Sequence, residues 1–310
     1  MTPPSLRIGV VGATGLIGRT LCERLAARGD RPVVFSRDPA KVRRVIPQAD
    51  DARPNDALAH GGLDDLDAVV NLAGEPVMGQ RWDPAFKARI RDSRVRTTRA
   101  VVDGIAHAKG RVKTLVNASA VGFYGPRGDE RVGEDAAPGG DFLAGVCVDW
   151  EREAQRAAEH GAREVRLRIG IVLGDGGALT QMVTPFKLFA GGHVGSGQQY
   201  MPWVHLDDVV GAALFALDTP TLRGPVNVTA PEPLRASAFA RVLGSVLRRP
   251  AWLPVPTFAL RVAVGEVAEV VTTGQNATPD ALRAAGYTFR HPDLAAALRD
   301  ALGPHPASAA

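Results

Sequence analysis

The sequence predicts an α/β protein built on a doubly wound parallel sheet, with a smaller C-terminal α/β lobe. Three observations point there. Short β-rich runs alternate with helical runs over the first two-thirds of the chain. Those strands are continuous apolar runs, as expected when helices cover both faces of a sheet. A glycine triplet, GATGLIG (12–18), sits directly between the first strand and the first helix.

The elements follow in order. LRIGVVGA (6–13) is a strand, and LIGRTLCERLAARG (16–29) is a helix that stops at Gly29. RPVVFSR (31–37) is a second strand, and residues 38–66 carry at most a degenerate helix and strand. DAVVNLAG (67–74) is a clear strand, followed by a long basic helix near 84–108 and a strand at VKTLVNASA (112–120). A helix over about 140–160 shows its buried stripe in Phe142, Val146 and Trp150, at i, i+4 and i+8. REVRLRIGIVLG (163–174) reads as one strand. Beyond it a Gly-rich loop (191–203) precedes a helix at 206–218, a strand at 224–230, a helix at 235–248 and a Pro-punctuated helical tail. The division expected is 1–174 for the sheet domain, with some core strands shared with later segments, 175–302 for the lobe and 303–310 for a disordered tail.

Gly12, Gly15 and Gly18 give the loop its chemistry. Gly12 makes the tight turn, Gly15 lets backbone approach a pyrophosphate, and Gly18 lets helix pack close to strand. Thr14, Leu16 and Ile17 complete the expected cofactor loop, and the helix N-terminus supplies N–H donors and a positive dipole. This is the Rossmann arrangement. At the end of the second strand an NAD site usually places Asp or Glu against the ribose 2′-hydroxyl. Here Ser36 and Arg37 stand there, a pair suited to a 2′-phosphate, so NADP(H) is favoured; Asp38, one residue on, could swing back.

GATGLIG, NLAG (71–74) and NASAVGFYG (117–125) together resemble an extended short-chain dehydrogenase/reductase. More narrowly the chain is similar to the epimerase-like, YfcH-like subgroup of the NAD(P)-dependent epimerase/dehydratase superfamily. The motifs carrying this are NLAGEPV (71–77), RW (81–82), SRVRTT (93–98), GGDFLAGVCVDWE (139–151), GIVLG (170–174), GSGQQYMPWVHLDD (195–208) and GEVAEVVTTGQNATP (265–279). The resemblance implies a Rossmann domain with a C-terminal substrate lobe. It also implies that Leu72, Ala73 and Gly74 run past the cofactor, that Arg94 takes the place of a cofactor-facing Asn, and that Val172 lies near the nicotinamide.

Such enzymes normally use Ser, Tyr and Lys, the last two as Tyr-x-x-x-Lys on one helix face, where Lys lowers the Tyr pKa. Ser119 occupies the Ser position. Tyr124, Tyr200 and Tyr287 are each followed four residues later by Gly128, Val204 and His291, so the Tyr–Lys pair is missing. Cys147 and Glu151 stand in its place. A carboxylate beside a thiol disfavours the thiolate, so Cys147 reads as packing more readily than as catalyst. Glu151 and Tyr124 remain acid/base candidates. Glu75, Lys187 and His205 are weaker ones, with His205 read foremost as a structural donor or helix cap, and Asp207 and Asp208 as first-turn helix acids.

Composition narrows the rest. Net charge is +4, and the lysines (Lys41, Lys87, Lys109, Lys113 and Lys187) are scattered, so no nucleic-acid patch is expected. Two cysteines, Cys22 and Cys147, build no disulfide framework and fit a reducing, cytoplasmic compartment. No run of apolar residues reaches spanning length, so no membrane partner is expected, and no His or Cys spacing suggests a metal site. The expected partner is a small, polar, possibly sugar-like substrate, with homodimerisation left open. The leading expectation is an NADP(H)-dependent oxidoreductase or epimerase. The competing one is a dinucleotide-binding protein without turnover that senses redox state or serves a partner.

Overall fold

A computed structural model describes residues 5–303. The tail expected at 303–310 lies, from residue 304 on, outside the described residues. Seven strands form one sheet: β1 (Arg7–Val11), β2 (Arg31–Ser36), β3 (Asp51–Pro54), β4 (Ala68–Asn71), β5 (Thr114–Ala120), β6 (Arg163–Ile169) and β7 (Gly224–Val228). Their order is β7-β6-β5-β4-β1-β2-β3, and every pairing is parallel. The order reverses between β1 and β4, which opens a crevice at the carboxyl ends of those strands. Helices cover both faces: α1 (Leu16–Ala27), α2 (Pro39–Val45), α3 (Pro84–His107), α4 (Phe142–Gln155) and α6 (Leu206–Asp218) pack on the sheet, while α5 (Gly177–Lys187) packs in the lobe.

Two buried clusters sandwich the sheet. One joins Ile8, Val10, Leu21, Leu25, Val116 and Val210. The other joins Val33, Val69, Val101, Ile105 and Leu115. The alternation of Ile8 and Val10 with Val69 and Leu115 between faces is the period of two that a strand imposes. The weakly patterned stretch at 38–66 holds α2 and the edge strand β3, tied by Arg53, which donates to Asp65 Oδ1 at 2.7 Å and to Gly62 O at 2.7 Å.

The single strand expected at 163–174 is broken. A Cβ on Gly170 would stand 2.1 Å from Pro202 O, so the chain passes there with no side chain and leaves the sheet. Ile171–Leu173 then pairs with Trp203–His205 instead. After α6 the chain returns to the sheet as β7 and leaves again for α7 (Ala236–Leu247) and α8 (Thr257–Val264). The segment beyond 174 therefore supplies one edge of the main sheet as well as a lobe. The lobe has its own apolar cluster, with Leu173, Phe186, Trp203, Phe239, Leu243 and Leu298 at its centre.

Candidate functional site

The carboxyl end of β1 turns through Gly12, whose φ of +80° lies in the left-handed region. A Cβ there would approach Leu72 C at 2.8 Å and Ala73 N at 2.9 Å, so Gly12 lets the β1 and β4 loops lie against each other. A Cβ on Gly18 would meet Ala13 Cα at 2.5 Å. That glycine lets α1 sit directly on the turn, as expected. Thr14 and Gly15 are exposed at its tip, and Leu16 and Ile17 are half-buried.

Helix starts in this fold are of two kinds: several are capped by an acid, while α1, α5, α7 and α8 have neither a side-chain cap nor a first-turn acid, and what sets α1 apart is that it follows β1 through the Gly12 turn. Asp83 caps α3 by accepting from Phe86 N at 2.7 Å, and Asp141 caps α4 by accepting from Ala144 N at 3.0 Å. Behind Gly15, α1 has no side-chain cap and no acid in its first turn. Its first N–H groups and its dipole are left for an anion.

Leu72, Ala73 and Gly74 leave β4 at the switch point. The buried Asn71 holds them: its Oδ1 accepts from Ala73 N at 3.2 Å, and its Nδ2 donates to Asn117 Oδ1 at 2.7 Å and Thr98 Oγ1 at 2.9 Å. Trp150 Nε1 donates to the same Thr98 hydroxyl at 2.9 Å. Arg94 lies under this loop. Its guanidinium donates to Glu75 O at 2.9 Å and Ile90 O at 3.0 Å, stands 5.2 Å from the Trp150 ring, and would be 3.0 Å from a Cβ on Gly74. Burial lowers its pKa. Arg94 is thus a floor to the loop and no solvated helix charge. Val172 packs on the sheet's main apolar cluster.

At the end of β2, Ser36 is half-buried and Arg37 exposed, with no hydrogen bond or ion pair to Arg37 among the described residues. Asp38 does not swing back: it caps α2 by accepting from Lys41 N and pairs with Lys41 Nζ at 3.0 Å, which lowers its pKa.

The four acid/base candidates converge, and all are buried: Ser119 at 3%, Glu151 at 3%, Cys147 at 5% and Tyr124 at 0% exposure. Ser119 Oγ donates to Glu151 Oε1 at 2.7 Å. Arg168 grips the same carboxylate with two parallel bonds, Nε to Oε1 at 2.8 Å and Nη2 to Oε2 at 2.9 Å, and Arg166 Nη1 adds a third at 3.2 Å. Arg168 Nη1 also donates to Tyr124 OH at 2.9 Å, and that hydroxyl donates to Asn227 Oδ1 at 2.6 Å. Burial raises the Tyr124 pKa. Cys147 packs among Val121, Phe123, Tyr124 and Ala277. Burial first, and Glu151 second, push its thiol up to about 12, so it stays protonated at neutral pH.

The remaining candidates fall elsewhere. Glu75 is half-buried, its N–H donating to Ser93 Oγ at 2.9 Å. Lys187 is exposed at the end of α5. His205 caps α6, its Nδ1 accepting from Asp207 N at 3.2 Å, while its ring stacks 3.7 Å from His291. Asp300 Oδ2 is 3.2 Å from His205 Nε2. This trio invites a metal, but a His205 whose Nδ1 accepts carries its proton on Nε2, which is not the form a metal takes. Asp208 is buried and anchors Tyr287, Arg290 and His291. Asn71 and Thr98 stand within the NLAG and SRVRTT motifs, though their roles were not named; Arg166, Arg168 and Asn227 had no motif, and the only signal for the arginines was their place on alternate residues of one strand.

A cavity of about 440 Å³ is lined by Asp129, Gln198, Gln199, Arg235, Thr273 and Gly274, and its lining includes none of Ser119, Tyr124, Cys147 or Glu151. A second, of about 540 Å³, is lined by Arg81, Gln181, Leu260, Val264 and Val271.

Comparison with known proteins decides the family. Residues 8–228 match the NAD dependent epimerase/dehydratase family, and residues 255–301 match a domain of unknown function, DUF1731. The chain belongs to the NAD-dependent epimerase/dehydratase family. It is 42% identical over 302 residues to the chloroplastic epimerase family protein SDR39U1 homolog of Arabidopsis thaliana, covering 95% of this chain and 86% of that protein. It is 36% identical to the epimerase family protein YfhF of Bacillus subtilis, covering 94% and 97%. The crystal structure of human epimerase family protein SDR39U1 with NADPH superposes with a TM-score of 0.88 at 34% identity, covering 96% of this chain and 99% of that one. No helix among the described residues is long and apolar enough to cross a membrane.

Proposed function

We propose that the protein binds NADP(H) in the crevice between β1 and β4 and uses it as an oxidoreductase or epimerase on a small polar or sugar-like substrate. The observation that carries this reading is the uncapped, acid-free start of α1 behind Gly12 and Gly18. A dinucleotide fits those residues, since a Cβ at either glycine would occupy the space that lets the loops close. Gly12, Thr14, Gly15, Leu16, Ile17 and Gly18 would hold the pyrophosphate, and Leu72, Ala73 and Gly74 the adenosine side. Ser36 and the unpartnered Arg37 would take the 2′-phosphate, with Asp38 occupied by Lys41. The NADPH held by the human relative supports this choice. When bound, the cofactor supplies a carbon that gives or takes hydride.

Within this reading Ser119 is the group for the reacting oxygen. Its own proton is committed to Glu151, so its lone pairs are free to accept from a substrate hydroxyl. Glu151 positions Ser119, and Arg166 and Arg168 position Glu151. Cys147 is packing, and Tyr124 braces Arg168.

The test has two stages. Fluorescence titration should give tighter binding of NADPH than of NADH. A screen of aldehydes, ketones and sugar substrates, followed by NADPH absorbance, should find turnover that Ser119→Ala lowers about a hundredfold at unchanged NADPH affinity. Tight NADPH binding with no hydride exchange across the screen would overturn the enzyme reading in favour of a sensor.

A further inference from the structure

Large apolar side chains are exposed at Val45, Leu188, Phe189, Trp252, Leu253, Phe258 and Val262. All but Val45 fall in two stretches, 176–206 and 233–265, that contain no Asp or Glu. The same stretches carry Lys187, Arg235, Arg241, Arg248, Arg249 and Arg261. Arg235 and Arg261 pair with Asp129 and Glu269, whereas Lys187, Arg241, Arg248 and Arg249 have no acidic partner among the described residues, so apolar exposure and unpaired positive charge coincide around Leu188, Phe189, Trp252 and Leu253.

The fold brings the two stretches together. Trp252 Nε1 donates to Phe189 O at 3.2 Å, Leu253 N donates to Gly191 O at 3.0 Å, and the Arg249 guanidinium lies 4.6 Å from the Phe189 ring. Trp252 is 68% exposed and Leu188 74% exposed. Both turns carry a residue in left-handed backbone, Phe189 at φ +59° and Arg248 at φ +54°. Non-glycine residues adopt that conformation at a cost, and here it ends α5 and α7 with side chains turned outward. The next helix, α8, has no buried residue and shows Phe258 and Val262 one turn apart. Two acids follow it, Glu266 and Glu269, and each is paired, with Lys87 and Arg261 respectively.

We infer that the Leu188–Phe189 and Trp252–Leu253 turns, with Lys187, Arg248 and Arg249, dock the protein on an anionic phospholipid surface. Aromatic and aliphatic tips ringed by Lys and Arg are the chemistry of interfacial binding, in which apolar groups enter the headgroup boundary and cations meet acidic lipid. A second copy of the chain would oppose the same cations to each other. Such docking needs no spanning helix.

The experiment is vesicle flotation of the full chain with phosphatidylcholine vesicles, with and without phosphatidylserine. Phosphatidylserine vesicles should carry the protein, and Trp252, the one exposed tryptophan among the described residues, should shift its emission to the blue. The double variant Phe189→Ser with Trp252→Ser should lose flotation at least about tenfold. Arg248→Glu should lower it about fivefold or more. Circular dichroism and thermal melting show that each variant is folded. The proposal fails if neither vesicle binds, or if both bind equally. It also fails if light scattering shows a dimer that the double variant makes monomeric, or if the protein carries an acidic protein on this face while ignoring vesicles.

Discussion

At the carboxyl end of β1 the chain presents backbone alone, whereas at the carboxyl end of β5 it surrounds Ser119 with charged side chains. The first region is built by leaving things out: no Cβ at Gly12 or Gly18, no side-chain cap and no acid in the first turn of α1. The second is built by filling in. One carboxylate, Glu151, receives Ser119, Arg166 and Arg168 in a place with almost no solvent. Ligand affinity should therefore depend on the first region and fold stability on the second.

The largest effect should come from breaking the filled region. Glu151→Ala leaves the buried Arg168 with no carboxylate and Arg166 with Glu164 alone, and should lower the unfolding free energy by about 3–5 kcal/mol. Urea denaturation measures it, and the fraction still folded should bind NADPH nearly as before. An unchanged denaturation midpoint would dissolve the contrast. The open region should show the opposite signature. Gly12→Ala forces a side chain into left-handed backbone, at a cost of about 1–2 kcal/mol, and against Leu72. NADPH affinity should fall by more than that strain alone predicts, because the β4 loop must move.

Arg37→Glu sharpens the comparison within the open region. Removing a charge-assisted bond should weaken NADPH by about 1–3 kcal/mol while leaving NADH nearly untouched. Parallel titrations with the two cofactors separate this from a general loss. Cys147→Ala should cost only about 1 kcal/mol and leave any turnover intact, since a thiol held protonated by burial has no chemistry to lose. Turnover that disappears with Cys147 while the fold persists would return it to the mechanism.

The smallest effect should lie outside both regions, at the His205 cap. Burial, and then His291, hold the folded pKa of His205 below 6.5. The unfolded chain binds the extra proton first, so the stability His205 contributes is present above that value and lost as pH falls through the folded pKa. Melting temperature should decline from about pH 7 toward about pH 5, and His205→Gln should flatten that part of the curve.

The open region was legible because backbone needs show in residue type. Glycine spacing named Gly12 and Gly18 directly, and Ser36–Arg37 carried the expectation of a 2′-phosphate. The filled region was legible only in part. Ser119, Glu151, Cys147 and Tyr124 were found through resemblance, but not that Glu151 is held by Arg166 and Arg168. Those partners sit 15 and 17 residues downstream, on another element, and only the packing of α4 on the paired β5 and β6, where Ser119 lies in register with Arg168, brings them face to face. Arg94 was expected at the cofactor; that it lies beneath the loop depends on Gly74 and Trp150, two elements away in space. The break at Gly170 escaped because the run around it is uniformly apolar, and its cause is a carbonyl from Pro202.

That break sets the mechanics of the molecule. The chain crosses between sheet and lobe at Gly170, again on the way into β7, and again after Val228. Leu173, Trp203 and Ala230, taken from the three crossings, share the lobe's apolar cluster. Together with the later return of Leu282 to the sheet's cluster and of Leu294 and Leu298 to the lobe's, these threads through one boundary make a seam and leave no axis for a hinge. Truncation at residue 174 would strip β7 from the sheet and bare the edge of β6, where Arg166 and Arg168 sit. The lobe is therefore not a lid that was added to a finished domain, and neither part is a unit that can be cut out and kept.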